Sequence, residues 1–333
     1  MKQFVISGSP HVHQDLTVPK LMYGVVIAMI PAMIVSFYMF GLGAARVFLI
    51  TILSCLFFEY VIQRYLIKGP LTINDGSALV TAVLLAFNVP SSIPWWMLVV
   101  GSLVAVGMGK MSFGGLGKNP FNPALVGRVF MLISFPVAMT TWPKPIVSRS
   151  YFSFAGLDDK VLDTITGPTP LAVLQEEGAG AVSTNMQLLL GQMGGSLGEI
   201  SAIALLLGGL YMLFKKIITW HIPVAYFGSA FILAGILWLA DPSQYADPLF
   251  QYGNGGTHVR SILLWLPTMF HRLVSAKGQL IFGVGAGVLT ILIRVFGAYP
   301  EGVSFAILIM NAFTPLINSQ IKPARFGHKS VKA

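Results

Sequence analysis

Long apolar runs recur along this chain, at about 21–40, 44–62, 76–90, 95–110, 122–140, 198–214, 219–239, 257–273, 279–296 and 302–318. A helix that crosses a bilayer needs ~20 mainly apolar residues, fewer where neighbouring helices shield it. The runs therefore predict an all-α polytopic membrane protein of about ten transmembrane helices, five before a long polar loop and five after it. The third run is short and ends at Pro90. Only 10% of the residues are charged, against about 25% in a soluble domain. Lipid must cover most of such a surface. The 35 glycines and 20 prolines are interspersed with the apolar runs, and both residues are common in membrane helices.

Charge orients the chain. With the N-terminus inside, the inner connections hold Lys2, Lys20, Arg64, Lys68, Lys110, Lys118, Lys215, Lys216, Arg272, Lys277, Lys322, Arg325, Lys329 and Lys332. The outer connections hold Arg46, Lys144, Arg149, Lys160 and Arg294, while Arg128 and Arg260 fall inside runs. Cytoplasmic loops carry the excess of Lys and Arg, so both termini are expected inside and the loop of 141–197 outside. The expected organisation is a first membrane half over 1–140, the outer loop over 141–197 and a second half over 198–333. The net charge of +9 is dispersed among connections. It forms no basic stripe of the kind nucleic-acid binding needs. Residues 1–19 are polar and show no signal-peptide core, which leaves the first apolar run as the insertion signal.

Two halves of five helices must be inverted if they are structural repeats, and inverted repeats place sites where the halves meet. The support is a short echo, Asn119-Pro-Phe-Asn-Pro123 and Asn311-Ala-Phe-Thr-Pro315.

Polar residues in or beside the runs are functional candidates because burying them in lipid is costly. Asn119 and Asn122 enter the fifth run and suit an Asn–Pro turn and helix cap. Arg128 follows within reach of the same face, where helix-end carbonyls are the ordinary partners. Asp75 opens the third run as an expected N-cap. Glu59 is expected to reach the headgroups, and Asn88 to satisfy backbone groups freed by Pro90. Cys55, the one cysteine, reads as a small buried apolar residue and cannot hold an iron–sulfur cluster, which takes several. His11 and His13 alone are poor evidence for a metal site. Gly101, Gly107, Gly114, Gly115 and Gly117 lack the Gly-Lys-Ser/Thr of a phosphate loop and suit close helix packing. Trp95, Trp96, Trp142 and Trp220 fall where interfacial belts are expected.

The loop carries Asp163-Thr-Ile-Thr166-Gly167-Pro168-Thr169-Pro170. By itself this is a turn, with Thr169 as the N-cap of a helix whose first residue is Pro170. The segment also resembles Asp-x-x-Ser/Thr-Gly-Ala-Thr, where a flavin transferase attaches FMN through a phosphoester to the last threonine. That site belongs to membrane subunits of the Rnf and sodium-pumping NADH:quinone oxidoreductase complexes, the NqrB/RnfD family. Asp163, Thr166, Gly167 and Thr169 match, while Pro168 replaces the usual alanine. Further resemblance lies in Ser7–His13 with Met22–Val25, Asn74–Thr81, Gly117–Leu125, Lys277–Gly283 and Pro300–Asn311. The quinone-reductase members usually carry a longer N-terminal extension, so the Rnf-type members are the nearer match. Residues 258–273 depart from the family pattern, through a compensated frame error or true divergence.

The resemblance implies a subunit of a redox-driven, ion-translocating oxidoreductase in the bacterial inner membrane, relaying electrons through FMN on Thr169. It also implies a second flavin, riboflavin, near Asn119 and Asn122. The implied partners are another flavin-bearing subunit, small membrane subunits, a soluble iron–sulfur/NAD module and the flavin transferase, besides lipid. The helix pattern alone also permits a solute channel or secondary transporter. A flavin on Thr169 separates the two readings.

Overall fold

The computed structural model describes residues 17–69, 71–143, 195–198, 201–242, 245, 275–297 and 302–321. Every extended regular element among them is helical. Helix α1 runs Val18–Phe40 and α2 runs Leu42–Val61, joined at Gly41, whose φ of 56° lies in the left-handed region. Glycine adopts that conformation without a Cβ penalty. A π-helical turn over Ile62–Ile67 extends α2. Helix α3, Ser77–Phe87, is followed by α4, Trp95–Leu103, which continues in π-helical form to Met108. Next come α5, Pro123–Ser134, α6, Pro136–Thr140, and α7, Ala202–Phe214. The series ends with α8, His221–Ala240, α9, Ala276–Phe296, and α10, Val303–Gln320.

Six helices among the described residues are long and apolar enough to cross a membrane: Val18–Phe40, Leu42–Ile67, Trp95–Phe113, His221–Ala240, Ala276–Phe296 and Val303–Gln320. The chain is a polytopic membrane protein. Three expected spans are shorter than the apolar runs suggest. The run at 76–90 yields the 11-residue α3, that at 122–140 yields the 12-residue α5 and a break at Phe135, and that at 198–214 yields the 13-residue α7. At 1.5 Å per residue these reach about 16–20 Å, against a hydrocarbon core of about 30 Å. The expected span at 257–273 lies outside the described residues.

Helix α3 has ten of its eleven residues buried. It is apolar all round, and such a helix belongs in a core. Its end inside the bundle frees backbone carbonyls that lipid cannot solvate. Asn88 Nδ2 donates to Leu84 O at 2.7 Å, which is the role expected of it. The backbone N–H of Gly198 donates to Phe87 O at 2.8 Å and that of Leu197 to Val89 O at 3.5 Å. Ser36 Oγ in turn donates to Leu197 O. A Cβ on Gly198 would lie 2.5 Å from Phe87 Cβ, so only glycine lets this segment close on the helix end.

Small residues set the helix spacing elsewhere. Gly283 and Gly287 form a Gly-x-x-x-Gly face on α9, a pattern that lets membrane helices approach closely. A Cβ at Gly283 would sit 2.8 Å from Ile222 O, and one at Gly287 would sit 2.6 Å from Tyr226 O. A Cβ at Gly208 of α7 would likewise collide with Ala28 O of α1. Gly287→Leu is therefore expected to push α8 from α9 and to lower stability by ~1–3 kcal/mol, the range for overpacking. Denaturant unfolding in mixed micelles measures this. An unchanged midpoint would show that the α8–α9 contact does not depend on the missing side chain.

The expected glycine packing holds in part. A Cβ at Gly101 would collide with Met131 Sδ, whereas one at Gly107 would make only ordinary contacts. Gly114, Gly115 and Gly117 are turn residues with φ of 95°, 91° and 86°. The echo does not mark equivalent places. Asn119–Pro123 precedes and opens α5, and Asn311–Pro315 lies inside the continuous α10. Trp95, Trp96 and Trp220 are exposed as belt residues would be, but Trp142 is buried.

Candidate functional site

A polar cluster lies where α2, the start of α3 and the end of α4 meet. Glu59 and Lys110 are buried, at 0% and 1% exposure. Lys110 Nζ donates to Glu59 Oε1 at 2.8 Å, to Glu59 Oε2 at 2.7 Å and to Ser77 Oγ at 2.6 Å. An ammonium has three donors, and these contacts use all of them. Ser77 Oγ and the Ser77 backbone N–H both donate to Asp75 Oδ1. Gln63 Nε2 donates to Thr72 Oγ1 at 2.6 Å, and Thr72 N donates to Gln63 Oε1 at 2.9 Å. The cluster clamps three helices by charge and hydrogen bonds. Cys55, Ala82, Val106 and Met111 form a small apolar core beside it, and Cys55 is buried as expected.

Three expectations change here. Glu59 does not reach the headgroups, because its carboxylate is turned inward to Lys110. Lys110 is not an exposed charge in a connection but the buried partner of that carboxylate. Asp75 is not the N-cap itself. Gly76 holds that place, and Asp75, in the 3₁₀ turn Ile73–Asp75, reaches the first helical N–H from one residue earlier. The sequence signal for the pair was two lone opposite charges beside apolar runs, but their separation of 51 residues hid the contact.

Asn119 and Asn122 are both buried. Asn122 is the N-cap of α5, its Oδ1 accepting from Ala124 N at 3.0 Å. Asn119 Nδ2 donates to Phe121 O at 3.0 Å. Both amides thus serve the turn that contains them. Arg128, one and a half turns along α5, donates from Nη1 to Ser304 Oγ at 2.6 Å. It ties α5 to the first turn of α10, a partner that the sequence did not reveal. Arg46, assigned to an outer connection, lies in α2 and donates to Ser91 O and Ile93 O at 3.2 and 2.9 Å. Asp163, Thr166, Gly167 and Thr169 lie outside the described residues, as do His11 and His13.

A model of the NQR2, RnfD, RnfE family matches residues 5–327. The chain belongs to that family. The D subunit of the Na⁺-translocating ferredoxin:NAD⁺ oxidoreductase complex of Acetobacterium woodii is 40% identical over 329 residues, 98% of this chain and 96% of the relative. The D subunit of the proton-translocating ferredoxin:NAD⁺ oxidoreductase complex of Clostridium ljungdahlii is 40% identical over 332 residues, 97% of this chain and 96% of the relative. The D subunit of an ion-translocating oxidoreductase complex of Alcanivorax borkumensis is 36% identical over 340 residues, covering 98% and 97%. Membership in the NQR2, RnfD, RnfE family takes the place of the solute-transporter reading that the helix pattern alone permits.

Proposed function

We propose that this chain is the D subunit of an ion-translocating ferredoxin:NAD⁺ oxidoreductase and relays electrons through FMN esterified to Thr169. The observation that carries the reading is the occurrence of Asp163, Thr166, Gly167 and Thr169 in the long loop of a chain similar to such subunits from end to end. When bound, FMN supplies one-electron chemistry, and the protein supplies position and surroundings. Thr169 Oγ holds the phosphoester, so the flavin stays tethered in either redox state. The loop hydroxyl faces the outer side and both termini face the cytoplasm, in keeping with the excess of Lys and Arg on the inner connections. A second flavin, riboflavin, would lie beside the turn of Asn119 and Asn122, whose side-chain amides hold that turn in shape. The single cysteine makes an iron–sulfur cluster on this chain untenable. Ferredoxin and NAD therefore meet the rest of the complex: a second flavin-bearing subunit, small membrane subunits and a soluble iron–sulfur module.

The test is mass spectrometry of the peptide spanning 161–175 after co-expression with a flavin transferase. The expected peptide carries one added FMN. An unmodified peptide throughout the preparation would sink the relay. Identity to the sodium-translocating and the proton-translocating relative is the same, 40%. The coupling ion is accordingly read from the sodium dependence of electron transfer in the assembled complex.

A further inference from the structure

We propose that the π-helical turn at the end of α4 is a register switch, held by the Glu59–Lys110 ion pair and felt at the start of α5. The turn covers Val104–Met108, just before Lys110. Gly109 N–H donates to Val104 O at 3.0 Å, five residues back where an α-helix would reach four. Such a turn holds one residue more than an α-helical one, is rare, and recurs at functional places in helices. A second π-helical turn, Ile62–Ile67, begins shortly after Glu59. The two turns adjoin, since a Cβ on Gly107 would lie 3.6 Å from Ile62 Cδ1. Each partner of the buried pair therefore has a π-turn beside it in its own helix.

The turn of α4 presents two faces. Val106 packs in the small apolar core with Cys55 and Ala82, and Lys110 reaches Glu59 and Ser77. That face meets α2 and α3. Ala105 and Gly109 meet α5 instead. A Cβ on Gly127 would lie 2.8 Å from Ala105 Cβ, and one on Gly109 would lie 2.8 Å from Pro123 Cα. The same short segment thus touches the ion pair on one side and the entry of α5 on the other.

Relaxation of the turn to α-helical form would change both faces together. One residue turns a helix by about 100°, so each residue after the turn would yield its place to the one before it. Gly109 would then face Glu59 where Lys110 now does. Met108 would replace Gly109 against Pro123, where a Cβ already has no room. The start of α5, with the turn of Asn119 and Asn122, would have to move. The extra residue has a place to go, since Lys110 leads through the 3₁₀ turn Met111–Phe113 to Gly115 and Gly117, which have open space around them. The three contacts of the Lys110 ammonium exist only in the π register, and they are what holds it. This linkage needs neither flavin.

The test is amide hydrogen exchange, read by mass spectrometry, on the full chain in detergent micelles. Glu59→Gln keeps the shape of the side chain and removes its charge. It is expected to speed exchange about tenfold in 104–110 and in 122–126, within the usual range of coupling between sites. In the second segment Val126 N–H bonds Asn122 O and Ala124 N–H bonds Asn122 Oδ1. The amides of α8 should exchange as in the wild type. Deletion of Gly107 removes the extra residue, leaves a plain α-helix and keeps Lys110 turned to Glu59. With no second register to adopt, the deletion variant carrying Glu59→Gln should stay within about twofold of the wild type at 122–126, below that range. An equal rise with and without Gly107 would mean that the effect travels through loosened packing, and would overturn the proposal. Wild-type exchange at 122–126 in Glu59→Gln, or a rise that extends equally into α8, would overturn it too. If the deletion variant does not fold, Gly109→Ala gives the reverse measurement. Its Cβ against Pro123 should speed exchange across the turn, at Thr72 and Ser77, whose N–H groups bond Gln63 and Asp75. Unchanged exchange there would equally overturn the proposal.

Discussion

Lys110→Met is expected to destabilise the chain by about 3–5 kcal/mol, the cost of leaving one member of a buried ion pair without the other. The reason lies in the geometry. Glu59 is fully buried and takes both strong contacts from the one ammonium, at 2.7 and 2.8 Å. Without Lys110 its carboxylate keeps only the weaker contacts from Gln63 Nε2 at 3.3 Å and Thr72 Oγ1 at 3.4 Å. Ser77 Oγ also loses its donor, and with it goes the link from α4 to the start of α3. The double variant Glu59→Leu, Lys110→Met should recover most of the loss, because well-packed apolar pairs often replace buried ion pairs without penalty. Denaturant unfolding in mixed micelles reads both variants. A single variant costing under about 1 kcal/mol, the range of exposed pairs, would mean that water reaches Glu59. A double variant no better than the single would mean that the clamp needs its charges for more than mutual neutralisation.

The two charges also mark how far a sequence can be read. The apolar runs disclosed the class of fold and placed most helices, because burial in lipid leaves a signal in every stretch of about 20 residues. They did not disclose where a helix ends inside the bundle. Residues 76–90 are almost uniformly apolar, yet α3 stops at Phe87, since Pro90 and the donors of Leu197 and Gly198 end it there. Those donors lie more than a hundred residues away, and no local pattern announces them. Tertiary pairing likewise reverses the meaning of Lys110. Lysines between apolar runs usually face water, and this one points inward only because Glu59 and Ser77 wait there. Asn88 and Asn122 behave as expected, because capping and backbone satisfaction are local chemistry. Arg128 was legible as a polar group in need of a partner, but Ser304 was visible only once α5 and α10 were side by side. The Gly283-x-x-x-Gly287 spacing was available in the sequence and would have located the α8–α9 contact.

The second large effect is expected at Thr169. Thr169→Val should abolish covalent flavin, so that the in-gel fluorescence of the denatured band falls to background. Valine keeps the branched shape of threonine and removes only the hydroxyl that forms the phosphoester. Protein staining of the same band, expected at wild-type intensity, separates lost labelling from lost protein. Thr169→Ser supplies the control, because it restores a hydroxyl and should recover labelling. Its failure to do so would mean that the transferase also reads the threonine methyl. Pro168→Ala tests the one departure from the motif. Proline fixes its own φ and pushes the residue before it towards extended backbone, so Gly167 meets the transferase already restricted. Labelling at least as strong in Pro168→Ala is expected, because alanine keeps that conformation accessible and removes the restriction. A fluorescent band that persists in Thr169→Val would place the flavin on another residue, with the hydroxyls of Thr164 and Thr166 the first to be replaced in turn.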